Sequence, residues 1–70
     1  MSHQLRRGDR VRVRDATRPH GYQVGETGRV EWITPRAGPG AAAIFIHCAM
    51  DRTGPHRLAT FHPDEIERLP

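Results

Sequence analysis

The sharpest pattern in the chain is Arg10-Val11-Arg12-Val13-Arg14, where charged and β-branched residues alternate with period two. Successive side chains on a strand point to opposite faces, so Val11 and Val13 are predicted to enter a core while Arg10, Arg12 and Arg14 face solvent. Gly8-Asp9 supplies the turn that starts this strand. A second strand is predicted over Gly28 to Ile33, with Val30 and Trp32 on one face and Thr34-Pro35 as its end, because proline cannot donate to a ladder. A third runs from Ala41 to His47 around the continuous apolar run Ile44-Phe45-Ile46. A fourth covers Arg57 to Phe61, where the offset of Leu58 from Phe61 suggests a bend, and a short last one covers Ile66 to Leu69.

Three loops separate these segments. Asp15 to Thr27 is long, rich in Gly, Pro and His, and holds the only tyrosine, Tyr22. Pro35 to Gly40 reads as a hairpin tip, and Ala49 to His56 contains the turn dipeptide Gly54-Pro55. Pro63-Asp64-Glu65 suits one helical turn, with proline tolerated at its first position and acids near its positive end. No segment sustains a helical period. The expected fold is all-β, a small bent barrel of about five short strands, filling residues 6–69 after a flexible extension over 1–5.

Composition narrows the function. The chain has 70 residues, of which 36% are hydrophobic, so every apolar residue in a regular segment is expected in the core. One domain of this size buries only about 60% of its unfolded surface, too little to enclose a deep cleft or a large cofactor, and no cofactor is expected. The single cysteine, Cys48, excludes an internal disulfide. No apolar run reaches the roughly 18 residues of a membrane span, and the polar start lacks the apolar stretch of a secretory leader. A cytoplasmic protein is expected, with no membrane partner.

All eleven basic residues are arginine, and asparagine is absent too. Lys and Asn share A-rich codons, so GC-rich coding accounts for both absences. Their placement is more informative, since six arginines fall within residues 6–18. Guanidinium groups pair with carboxylates and phosphates through two parallel hydrogen bonds. Arg10, Arg12 and Arg14, joined by Arg29 if the first two strands pair and extended by Arg18, would form a row able to hold an anionic partner. Alternatively, the row marks a solvated edge strand whose charges block aggregation. Single-stranded nucleic-acid binders interleave such charges with exposed aromatics. Here Trp32, Phe45 and Phe61 lie in strands that need them for the core, which leaves Tyr22. An acidic protein is therefore preferred as partner over nucleic acid. A groove of His20, Tyr22 and Trp32 beside the arginines would complete the surface.

His47, Cys48, His56 and His62 are of the right types for zinc, but the spacing contains no Cys-x-x-Cys, and neighbours on a strand point apart. No metal site is predicted. Nothing beside Cys48 would activate it as a nucleophile, so a small buried apolar role is expected.

Gly8-Asp9-Arg10-Val11-Arg12-Val13, Gly25-Glu26-Thr27-Gly28-Arg29-Val30 and the stretch from Phe61 through Ile66-Glu67-Arg68-Leu69 together resemble the SH3-like barrels of the bacterial kind. That grammar is shared by KOW-type domains, the nitrile hydratase β-subunit barrel, the small photosystem I subunit, the ferredoxin–thioredoxin reductase variable chain and type II dihydrofolate reductase. It implies a fold more than a function. Several of these barrels clip onto larger proteins, which implies a non-enzymatic accessory role, with nucleic-acid binding of the KOW kind as the alternative. The dihydrofolate reductase resemblance implies a tetramer with a central pore. At the pore segment, however, this chain has Leu58-Ala59-Thr60-Phe61, without the family's glutamine and tyrosine.

Overall fold

The computed structural model describes residues 5–35 and 44–70. The expected hairpin tip after Pro35 and the start of the third strand at 41–43 lie outside the described residues, as does most of the predicted extension. Leu5, placed in that extension by the sequence, instead packs against the core.

Strands β1 (Arg10–Val13), β2 (Thr27–Pro35), β3 (Ile44–Met50), β4 (Leu58–Phe61) and β5 (Ile66–Arg68) form one antiparallel sheet in the order β4-β3-β2-β1-β5. A 3-10 turn, Pro63–Glu65, precedes β5. The protein is all-β, and among the described residues no helix is long and apolar enough to cross a membrane. β1 lies between β2 and β5, so the arginine strand is not an edge. Five strands laid flat would hold β4 and β5 about 19 Å apart. Only His62 to Glu65 join them, and Phe61 and Ile66 share one core cluster with Val11, Val13, Val30, Ile46, Cys48, Met50 and Ala59. The sheet is therefore rolled around its inner face.

Two expectations about facing are overturned. Val30 pairs with Cys48 and Trp32 with His47, so Glu31 is an extra residue opposite β3. This bulge reverses the alternation. Val30 is buried, Trp32 turns outward at 57% exposure, and Ile33 packs toward the core in its place. In β3 the buried positions are Ile46, Cys48 and Met50, which leaves Phe45 on the outer face at 37% exposure. The strand reaches Met50 because Cys48, Ala49 and Met50 continue the ladder to Val30, Arg29 and Gly28. β4 shows no bend: Ala59 and Phe61 point in, Leu58 and Thr60 point out.

Candidate functional site

The outer face of the sheet has two halves of different chemistry. On one, Arg10 lies opposite Arg29, and Arg12 lies between Thr27 and Glu67, so Arg10, Arg12 and Arg29 share this half. Of the five arginines predicted to form the row, four nonetheless have an internal carboxylate, and the fifth, Arg14, has a backbone acceptor. Arg10 makes a two-pronged pair with Asp51 at 3.0 and 2.8 Å. Arg12 reaches Glu67 at 3.1 Å, Arg29 reaches Glu31 at 2.9 Å, and Arg18 reaches Asp64 at 3.2 Å. Arg14 donates to the backbone carbonyl of Asp64 at 2.8 Å. The row is a strip of exposed ion pairs rather than a bare cationic surface.

Asp51 anchors this half. Its backbone N–H donates to the Thr27 carbonyl at 2.9 Å, and its carboxylate accepts from both Arg10 and the Thr27 hydroxyl. The Arg10 hydrogen bonds first, then that of Thr27, hold its pKa down at about 2. A carboxyl depressed in the folded state stabilises above its unfolded value, about 3.9, and loses that contribution as pH falls through the folded one. Asp51→Asn should therefore lower Tm by a few degrees at pH 7, the small effect proper to an exposed pair. The gap to wild type should close between pH 4 and pH 2 in thermal melts followed by circular dichroism. A gap that stayed constant down to pH 2 would show that the charge of Asp51 contributes nothing to it.

The other half carries almost no charge. Trp32 and Thr34 of β2, Phe45, His47 and Ala49 of β3, and Leu58 and Thr60 of β4 share it through their register. Leu58 is 45% exposed. The His47 ring spans three strands, with Nε2 at 2.9 Å from the Thr34 hydroxyl and Nδ1 at 3.0 Å from that of Thr60. Phe45 meets the His62 ring edge-on at 5.3 Å. Arg29 and Arg57 stand at the margins, and Arg57 pairs with no carboxylate among the described residues.

His20 and Tyr22 do not join Trp32. Both fold under the first loop against Phe61 on the inner side, with ring centroids 4.8 and 5.7 Å away. The His20 side chain is 6% exposed; its Nε2–H donates to the Asp15 carbonyl at 2.9 Å, and its Nδ1 accepts from the Tyr22 backbone N–H at 3.1 Å. These two bonds assign the neutral tautomer. The Tyr22 hydroxyl meets that of Thr53 at 2.8 Å, and the Arg52 guanidinium covers the ring at 4.8 Å while pairing with Glu26. Beneath lies Glu65, buried, with Oε1 accepting the His62 backbone N–H at 2.7 Å and Oε2 3.7 Å from His20 Nε2 without a hydrogen-bond partner. His20 and Tyr22 thus pin an otherwise largely exposed loop to the core.

His47 and Cys48 face opposite sides of β3, and among the described residues no three His, Cys, Asp or Glu side chains cluster as metal ligands. Burial, then the charge of Glu31, pushes the Cys48 thiol up to about 12, so it stays protonated and inert. Phe45, His47, Leu58 and Thr60 are assigned other roles by the sequence pattern, which does not place them together on an outer face. His47 was the available signal: a histidine held outward fixes the phase of β3 and puts Phe45 beside it. No family model matches the chain, and no match was found among curated proteins or solved structures, so its function has to be argued from this face.

Proposed function

We propose that the chain is a non-enzymatic binding module, of SH3-like kind and cytoplasmic, that docks onto an acidic protein partner through the outer face of β2, β3 and β4. The observation carrying this reading is the joint exposure of Trp32, Phe45 and Leu58 in a chain with few apolar residues to spare. Exposed apolar clusters rimmed by polar groups mark interaction sites, and Trp is a preferred interface anchor. Arg57, which pairs with no carboxylate among the described residues, and the overall charge of +3 favour an acidic rim on the partner. The paired arginines of β1 would then steer encounter and register more than affinity. For pore chemistry of the dihydrofolate reductase kind, β4 offers only Leu58 and Thr60 to solvent, neither able to replace the missing amide and phenol.

Nucleic acid is a second reading, because the aromatics whose exposure it required are on the surface after all. Against it, affinity for phosphates depends on free cationic charge, and Arg10, Arg12, Arg18, Arg29 and Arg52 are engaged with carboxylates.

The test is purification of the native partner from source cells, followed by titration of wild type, Trp32→Ala and Arg10→Ala. Trp32→Ala should weaken binding about 30-fold or more, the signature of a hot spot, with Tm nearly unchanged. Arg10→Ala should mainly slow association and flatten its salt dependence. Undiminished affinity of Trp32→Ala would overturn the proposal. A parallel titration with single-stranded oligonucleotide, read by Trp32 fluorescence, should show no steep salt slope; a steep one would favour the nucleic-acid reading.

A further inference from the structure

The sheet order leaves β4 with one side unpaired among the described strands. Natural sheets guard such edges with charges, proline or a bulge. The opposite edge is guarded in this way, since β5 carries Glu67 and Arg68 and is followed by Pro70. β4 is Leu-Ala-Thr-Phe, with no charge and no proline, in unbroken register with β3. Among the described residues no group outside β3 hydrogen-bonds the backbone of Leu58–Phe61. An edge of this kind offers a ladder of donors and acceptors that water serves in the free chain and that another extended chain can take over.

We propose that this edge is a docking site for an extended, acidic segment of a partner protein, which joins the sheet beside β4 as a sixth strand. The inference rests on the binding-module reading and specifies how the partner is held. The flanks select its charge. His56 and Arg57 precede the strand and His62 follows it, and Arg57, unlike Arg10, Arg12, Arg18, Arg29 and Arg52, pairs with no carboxylate among the described residues. A second copy suits the edge poorly. Antiparallel self-pairing centred on Ala59 sets the His56-Arg57 flank of one copy against the Phe61-His62 flank of the other, which offers no anion to Arg57. An incoming strand with acids at its ends and β-branched residues between them meets Arg57 with opposite charge. Its outward side chains stack beside Leu58 and Thr60.

The probe is a synthetic eight-residue peptide of alternating valine and threonine with two glutamates at each end. It is titrated into the full chain while backbone amides are followed by NMR and hydrogen exchange. Binding should slow exchange of the outward-pointing β4 amides about tenfold or more at saturation and weaken with salt. The same peptide N-methylated along its backbone keeps its side chains but loses its donors, and should not bind. Lysines in place of glutamates should cost about tenfold or more in affinity, as charge reversal predicts. Trp32→Ala should leave this strand addition intact even where it abolishes capture of the native partner, so the two readings fail separately. Unprotected β4 amides, equal binding of the N-methylated or lysine peptide, or a peptide-free dimer that buries β4 would each overturn the proposal.

Discussion

Gly28→Ala should lower the stability of this protein by about 2 kcal/mol or more, at the upper part of the range for forcing a methyl group into a packed site. Gly28 lies in the inner row between Val11 and Met50. A Cβ there would stand 2.6 Å from Met50 Sδ, 2.8 Å from the Ala49 carbonyl oxygen and 2.9 Å from Met50 Cα. The thioether can swing aside. The other two atoms are backbone of the neighbouring strand, so β2 and β3 would have to separate. Urea unfolding should show the midpoint falling by about 1–2 M at the slope of a small domain. Adding Met50→Ala removes the sulfur contact alone, so a double-mutant cycle should restore only part of the loss. An unchanged midpoint in Gly28→Ala would mean that β2 and β3 can part to admit a methyl group without cost.

The same glycine shows where the sequence was legible and where it was not. Gly28 is conspicuous at the start of a strand, but the reason for it, a neighbouring strand too close to admit a side chain, is a tertiary fact. β1 was readable because strict alternation of Arg and Val leaves one possible phase, and Val11 and Val13 are both buried. β2 was readable as a strand but not in phase. Nothing local in Val30-Glu31-Trp32 announces a bulge, and one inserted residue turned Trp32 from expected core to exposed face. β3 has apolar residues in both phases, so alternation alone could not decide between Phe45 and Ile46.

The candidate site followed the same logic. Which arginines share a face was readable from β1 and its pairing with Arg29. Their neutralisation was not, because Asp51 lies 41 residues from Arg10 and Glu67 lies 55 from Arg12. Tyr22 and His20 sit in a loop whose composition signals exposure, and their partial burial comes from Phe61, far along the chain. An aromatic in a loop and an aromatic in a strand exchanged their expected places, and the binding face moved with them.

Phe61→Ala should have the largest effect of any single truncation. Phe61 is fully buried, lies opposite Ile46 in the ladder, and receives the His20 and Tyr22 rings from the first loop. Truncating a buried Phe costs about 3–5 kcal/mol. A domain of this length has about 4–10 kcal/mol in all, so the variant should be largely unfolded near body temperature and only marginally folded in the cold. Far-ultraviolet circular dichroism against temperature measures this directly. Where the fold survives, the loss should be uneven. Without the ring beneath them, His20 and Tyr22 lose their packing, and the Tyr22 amide, held by His20 Nδ1, should exchange much faster than amides in β2 and β3. Phe61→Leu, which keeps an apolar side chain of intermediate size, should fall between the two. If Phe61→Ala instead melted like wild type with an unaltered Tyr22 amide, the first loop would be standing on something other than the core. The case for seating His20 and Tyr22 on the core and assigning Trp32 to the partner would then fall with it.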